Sequence, residues 1–221
     1  MQLAKQVKQL IRKEMLLEWR SKYALNGVLL YVVSTVFVCF LSFLNRPEKL
    51  TWNALFWIIM LFASINAVAK SFLQESKGRH LYIYTLVSPT ALIIAKTIYN
   101  SLLMIGLTLI ALLFYCMVFD FPAGGDLLMY IVATILGSLT FATIFTMVSA
   151  IASKAGNGGM LMAILSFPII IPVLILLIKL AKNAIDGLDR SVSLDDIGMV
   201  VIVNIMVMAV SLLLFPYLWR D

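Results

Sequence analysis

The chain has 221 residues, of which 62% are hydrophobic and 13% are charged, and its mean hydropathy is +1.02. Soluble domains are about 45–50% apolar and about 25% charged, so this composition excludes a soluble enzyme, a disordered chain and a disulfide scaffold. The apolar residues form long unbroken runs, whereas the strands of a membrane β-barrel alternate over about 10 residues. The sequence therefore predicts an all-α membrane protein, and we interpret the net charge of +6 as information on orientation.

The first 23 residues differ from the rest of the chain because they carry six Lys and Arg side chains. Leu3, Val7 and Leu10 recur at helical spacing, and Lys5 and Lys8 fall on the opposite face. This pattern predicts an amphipathic helix over residues 1–23 that lies in the membrane interface.

Six apolar runs long enough to cross a bilayer follow this helix. They are Ala24–Leu44, Trp52–Phe72, Ala91–Phe119, Leu127–Ala152, Met160–Ile178 and Ile197–Leu218. No internal repeat and no second soluble domain is visible, so we expect residues 1–221 to form a single transmembrane domain.

The distribution of basic residues predicts the orientation of this domain. Six spans place both termini on one side of the membrane, and twelve of the 17 Lys and Arg residues then lie on that side. The positive-inside rule predicts that this side is the cytoplasm. Two of these residues, Lys70 and Lys96, lie near predicted span ends, where we expect their side chains to snorkel to the interface.

The connection from Leu73 to Thr90 is the most informative loop of the chain. A charged segment with a glycine is followed by an apolar string and by Ser88-Pro89. This pattern favours a short amphipathic helix on the cytoplasmic surface. A plain connector and a helix that docks a cytoplasmic partner explain the periodicity equally well.

The chain contains no recognised catalytic motif and no phosphate-binding GxxxxGK[ST] loop. The glycine-rich stretch 153–159 is interpreted as a tight turn, and His80, the single histidine, as a solvated loop residue. Cys39 and Cys116 have no metal-site spacing. We expect the chain to bind no cofactor of its own.

A stripe of small residues with i+4 spacing runs along the fourth predicted span and predicts close helix packing. Its members are Thr134, Ser138, Ala142, Thr146 and Ala150. The stripe could pack within the chain or against a second copy, and a polar lining of a pathway is a third interpretation. Three membrane asparagines, Asn66, Asn100 and Asn204, each need a hydrogen-bond partner, preferably on another helix.

Pro168 and Pro172 lie one helical turn apart in the fifth predicted span. Each removes a backbone donor and crowds the preceding turn, so we expect the helix to bend or break there. The segment is a candidate hinge or pathway element, and a static kink is the alternative.

Residues 13–21 read Lys-Glu-Met-Leu-Leu-Glu-Trp-Arg-Ser, residues 86–89 read Leu-Val-Ser-Pro, and residues 158–175 contain Pro-Ile-Ile-Ile-Pro. These three segments, in this order, resemble the haem exporter protein B (CcmB) family. The resemblance implies a permease subunit of an ABC-2-like transporter for cytochrome c maturation in the bacterial inner membrane. Haem would be the transported or handled ligand.

The resemblance further implies that ATP is bound by a separate cytoplasmic CcmA-like ATPase. The other implied partners are a second copy of the chain and a CcmC-like membrane protein that handles haem. Residues 73–90 would form the coupling helix. The residues assigned to ATPase docking are Glu14, Glu18, Arg20, Gln74, Glu75, Lys77, Gly78 and Arg79. An ABC-2 permease for a lipid, glycan or drug and a non-transporting membrane scaffold are the alternatives.

Overall fold

The computed structural model describes residues 2–21, 23–43, 47–68, 72, 87–153 and 158–220. These residues form seven α-helices and one short 3-10 helix. The helices are α1 (Gln2–Ser21), α2 (Tyr23–Ser42), α3 (Lys49–Val68), α4 (Pro89–Phe119), α5 (Leu127–Ala152), α6 (Gly158–Ile185) and α7 (Leu194–Arg220), and the 3-10 helix is Arg190–Ser193.

Five of these helices, α3 to α7, are long and apolar enough to cross a membrane, which confirms the helical membrane class. The first predicted span falls on α2. Its apolar stretch, Asn26–Ser42, is shorter than the 18 residues that the candidate spans have at least. The count of six spans therefore stays a prediction. The fourth span agrees with α5 in both bounds, because Asp126 caps the helix by accepting a hydrogen bond from the backbone N–H of Met129.

The fifth predicted span ends too early. We placed its end at Ile178, before the first lysine, but α6 continues to Ile185. Leu180, Ala181 and Ala184 are almost fully buried, so the apolar face of the helix extends beyond the last residue of the apolar run. A run of hydrophobic residues indicates the part of a helix that is suited to lipid. The helix can continue beyond that run where its residues still pack against the protein, as they do here.

Helix α5 is the centre of the bundle and packs against α3, α4, α6 and α7. At Gly137 the indole ring of Trp57 lies where a Cβ atom would be. On one side of α5, Trp52 and Tyr130 pack edge to face with ring centroids 5.4 Å apart. The Tyr115 hydroxyl donates to the Trp52 carbonyl at 2.9 Å, so this aromatic layer joins α3, α4 and α5.

Two connections meet at one end of the bundle and form what we call the clasp, residues 124–126 and 184–190. The backbone N–H of Asp126 donates to the Ala184 carbonyl at 2.8 Å. Gly187 has φ +68°, and a Cβ atom there would collide with the Gly124 carbonyl. Arg190 Nε donates to Asp126 Oδ2 at 2.7 Å. The clasp therefore ties the α4–α5 pair to the α6–α7 pair.

We expect Gly187→Ala to destabilise the protein by about 1–3 kcal/mol, because the new Cβ atom meets backbone and the φ angle is unfavourable for alanine. Thermal unfolding in detergent measures this effect. Gly198→Ala is the matched control, since open space surrounds that helical glycine, and its unfolding temperature should not fall. Equal unfolding temperatures for the two variants would contradict the role of Gly187.

The clasp also predicts a dependence of stability on pH. The hydrogen bond from Arg190 holds the pKa of Asp126 below its ordinary value, and the backbone N–H of Met129 contributes in the same direction. This stabilisation is complete above the ordinary carboxyl pKa of about 3.9 and decreases as the pH falls through the lowered value. The unfolding temperature of Asp126→Asn should therefore fall less than that of the wild type over this acidic range.

Candidate coupling site

The end of the bundle opposite the clasp is covered by α1. Val7 and Leu10 are buried against the first turns of α4, whereas Lys5, Lys8 and Arg12 are exposed. Val7 and Leu10 of the predicted apolar face are therefore buried, whereas Leu3 of the same face is 46% exposed. The apolar face packs on protein, so the location of α1 in the membrane interface stays a prediction.

Two polar contacts fasten α1 to the start of α4, and we call them the clamp. Lys96 Nζ lies 3.6 Å from Glu14 Oε1 and 4.6 Å from the ring centroid of Phe72, which supplies a cation–π contact. At the first turn of α4, the Ser88 hydroxyl donates to Gln6 Oε1 at 3.2 Å. The clamp thus joins α1 to α4, and it includes Phe72, which follows α3 in the chain.

Lys96 corrects an expectation from the sequence. We expected its side chain to snorkel to the interface, but it is only 1% exposed. The prediction is wrong because α1 covers this position and supplies the carboxylate of Glu14. A buried ammonium is tolerated only when it is paired, so the burial of Lys96 depends on α1.

The predicted coupling segment 73–90 lies outside the described residues from 73 to 86. Its last residues are described and are not part of a separate helix. Ser88 is the N-cap of α4 and accepts a hydrogen bond from the backbone N–H of Ala91 at 3.4 Å, and Pro89 begins the first turn. Pro89 and Thr90 therefore belong to α4, as expected for proline in the first turn of a helix.

The structure describes only some of the residues assigned to ATPase docking. Glu14 is in the clamp, where its carboxylate contacts both Lys96 and Lys13. Glu18 is partly exposed on α1, and Arg20 lies in the same helix, with its side chain outside the described part. The other five lie outside the described residues: Gln74, Glu75, Lys77, Gly78 and Arg79. The docking assignment stays a prediction for all eight.

The small-residue stripe is buried inside the chain. Each member is at most 3% exposed: Thr134, Ser138, Ala142, Thr146 and Ala150. The Asn100 amide donates to the Thr146 hydroxyl at 2.8 Å and so connects α4 to α5. Of the interpretations left open, packing within the chain is the one that the structure supports.

The other two membrane asparagines differ from each other. Asn204 on α7 donates to the Thr140 hydroxyl on α5 at 2.6 Å, which confirms interhelical hydrogen bonding. Asn66 is exposed and donates to the Phe62 carbonyl of its own helix at 3.0 Å, so the expectation of an interhelical partner is wrong there. A one-turn bond is sufficient for an amide that no neighbouring helix covers.

Pro168 and Pro172 lie inside α6, which continues through both without interruption. The helix does not break, because it loses only the backbone donors of these two residues and keeps those of the positions around them. Both prolines are exposed on the outer face of the bundle. Their role as a hinge or pathway element stays a prediction.

Two buried polar groups escaped the sequence analysis. Asn53, only 1% exposed on α3, donates to the Ile178 carbonyl at 2.9 Å and accepts from the Tyr130 hydroxyl at 3.4 Å. Asp196, buried in the first turn of α7, accepts a hydrogen bond from Lys179 at 2.8 Å. The sequence signal for these contacts is the position of Asn53, Lys179 and Asp196 at the ends of apolar runs.

The described residues contain no group of three or more His, Cys, Asp or Glu side chains that could hold a metal ion. Cys39 and Cys116 are free thiols. The charged groups of this end instead serve to fix one helix against another. The arrangement suits the transmission of force between α1 and α4.

The fold and this site define a multi-pass helical membrane protein in which an amphipathic helix is fastened to a membrane-spanning bundle. The family model of the CcmB protein matches residues 5–217, which is nearly the whole chain. The chain therefore belongs to the CcmB family, a family of ABC transporter permease subunits associated with haem transport and cytochrome c biogenesis. The comparison with curated proteins found no match.

The clamp predicts unequal effects of its two charge-removing variants. Glu14→Gln removes the Glu14 carboxylate from the buried ammonium of Lys96, and we expect a loss of about 3 kcal/mol, at the lower end for broken buried ion pairs. Lys96→Met leaves a carboxylate that is 15% exposed and partly hydrated, so the loss should be smaller. Thermal unfolding of both variants in detergent measures the difference.

The double variant Glu14→Gln/Lys96→Met tests the coupling between the two side chains. It should recover most of the stability lost in Glu14→Gln, because neither charge of this pair remains. Losses that simply add would show that the two groups do not interact.

Proposed function

We propose that this protein is the permease subunit of an ABC transporter complex that exports or delivers haem for c-type cytochrome biogenesis. The observation that carries the proposal is the family match, which extends over residues 5–217 and so includes α1 and nearly all of the bundle. In this proposal ATP is hydrolysed by a separate, CcmA-like cytoplasmic subunit. The full assembly contains a second copy of the chain and a CcmC-like protein that handles haem.

The proposed arrangement has six spans, with both termini in the cytoplasm of a bacterium and the bundle in its inner membrane. The charge distribution supports this orientation. The clasp then lies on the far side of the membrane, and the clamp lies on the side of the ATPase.

The clamp supports a route for mechanical coupling. Residues 73–86 are separated from Ser88 only by Val87, and Ser88 both caps α4 and bonds to Gln6 of α1. A force applied to the coupling segment by the ATPase would therefore reach α1 and α4 together. Since Lys96 pairs with Glu14 two turns further along α4, the two helices would move as one unit.

The clasp would hold the helices together at the far side of the membrane, at the end opposite the clamp. Its backbone and ionic contacts join the two pairs α4–α5 and α6–α7. Movement started at the clamp would then tilt these helices about their far-side ends. Pro168 and Pro172 would allow α6 to bend during this movement, because each interrupts the helical hydrogen-bond ladder.

Affinity purification of the solubilised protein from its native membrane tests the proposal. The wild type should recover an ATPase subunit and membrane partners that carry haem, detected by mass spectrometry and haem staining. Glu75→Lys should lose the ATPase, because it reverses a charge on the proposed docking segment. Glu48→Lys, an exposed residue just before α3 at the clasp end, is the matched control and should retain it.

Each other result decides against a part of the proposal. Recovery of an ATPase without haem-handling partners would support the alternative exporter of a lipid, glycan or drug. Recovery of no ATPase, under conditions that preserve known complexes, would overturn the transporter and support a membrane scaffold. Equal loss of the ATPase in Glu75→Lys and Glu48→Lys would remove the docking assignment.

A further inference from the structure

Helix α1 runs beside α4 in the same direction, and two contacts fix its register. Gln6 contacts Ser88 and Glu14 contacts Lys96, so the partners of both pairs are 82 positions apart in the chain. The eight residues between the two contacts advance each helix by about 12 Å, so the helices stay side by side over two turns. The first half of α1 therefore lies level with the start of α4, and its second half lies deeper along this membrane-spanning helix.

The side of α1 that points away from α4 forms a continuous exposed stripe, which we call the outer stripe. Its members follow each other at spacings of three or four residues and so share one face of the helix. The stripe consists of the exposed residues Lys5, Lys8, Arg12, Met15 and Trp19. The buried residues Val7 and Leu10 lie on the opposite face.

The outer stripe changes from basic to apolar along the helix. Lys5, Lys8 and Arg12 carry three positive charges, and residues 2–13 contain no acidic side chain. The stripe continues with Met15, which is 54% exposed, and with Trp19, which is 79% exposed. Arg12 and Trp19 are separated by about 10 Å along the helix. On this face, charge and hydrophobicity are therefore separated by depth.

This order matches the profile of an anionic membrane surface. The hydrocarbon core of a bilayer is about 30 Å thick, and each headgroup layer adds about 5–8 Å. Tryptophan prefers the boundary between the two layers, and basic residues just outside it are attracted to anionic lipids. An acidic protein surface complements only the charges. A bilayer complements both parts of the stripe in the order in which they occur.

We propose that the outer stripe binds anionic phospholipids in the leaflet on the side of the clamp. The basic residues Lys5, Lys8 and Arg12 contact the phosphate groups, and Trp19 lies at the boundary with the acyl chains. The inference goes beyond the proposed transport function and needs only the membrane location of the bundle. The lipids hold α1 from outside while the clamp holds it against α4, so the charge of the membrane sets how firmly α1 is seated.

Hydrogen–deuterium exchange of the full-length protein in nanodiscs tests this binding. One nanodisc contains phosphatidylcholine, and the other contains equal amounts of phosphatidylcholine and phosphatidylglycerol with identical chains. Amide exchange in residues 2–12 should be slower in the anionic nanodisc by about fivefold or more, since each basic residue near an anionic surface contributes about fivefold. The difference should disappear at about 1 M NaCl, where the Debye length is about 3 Å.

Variants that remove a single charge locate the effect, because glutamine keeps the helix propensity of the basic residue. Arg12→Gln should lose more of the difference between the nanodiscs than Lys5→Gln, since Arg12 lies nearer to Trp19 and the boundary. Arg12→Lys should keep the difference. Lys182→Gln, which removes an exposed charge in the last turn of α6 at the clasp end, is the matched control and should behave as the wild type.

Trp19→Ala separates the apolar contact from the charges. It should speed exchange in α1 by the same factor in both nanodiscs, because a contact at the boundary does not depend on lipid charge. Unchanged exchange in this variant would overturn the placement of Trp19. Unfolding temperatures equal to that of the wild type show that the variants keep the fold.

Three results would overturn the binding of anionic lipid. The first is equal exchange of the wild type in the two nanodiscs, and the second is an equal effect of Arg12→Gln and Lys182→Gln. The third is exchange in residues 2–12 that ignores lipid charge and slows only when a cytoplasmic partner is added, which would assign the basic residues to a protein contact. The nanodisc comparison contains no ATPase, so the lipid site and the transport function can fail independently.

Discussion

The close approach of neighbouring helices to α5 is the constraint on which the bundle depends. Lipid tails are as apolar as the helix surfaces, so the hydrophobic effect does not drive membrane helices together, and packing and hydrogen bonds must do so. The buried stripe from Thr134 to Ala150 and the glycine at position 137 allow this approach. Four other helices then pack around α5, and two of them, α4 and α7, donate hydrogen bonds to it at Thr146 and Thr140.

The two ends of this bundle are fastened by different chemistry. At the clasp, backbone groups of two loops meet at Gly124 and Gly187, a Cβ atom at Gly187 would collide with the Gly124 carbonyl, and an ion pair lies outside them. At the clamp, a buried ammonium is held by a carboxylate from another helix and by an aromatic ring. The clamp therefore depends on side chains from two helices, whereas the clasp depends chiefly on backbone geometry.

Much of the site could be predicted from local pattern. The bounds of α5 follow from the length of an apolar run and agree with the structure, and Val7 and Leu10 of the predicted apolar face of α1 are buried. The misinterpretation of Lys96 has a different origin. Its position near the end of an apolar run is typical of a snorkelling lysine, and its partner Glu14 lies 82 positions earlier in the chain. No local pattern predicts that pairing, since it depends on how α1 folds back on α4.

The sequence by itself determined the helical membrane class, the location of the main spans and the family, because each depends on composition, run length and short motifs. Only the tertiary structure decided which faces of those helices meet. It showed that the small-residue stripe packs within the chain and that Pro168 and Pro172 are exposed. The physical reason is that in a span apolar on all sides every face is equally suited to lipid. Hydrophobic periodicity then carries no information on contacts, and only the fit between side chains selects them.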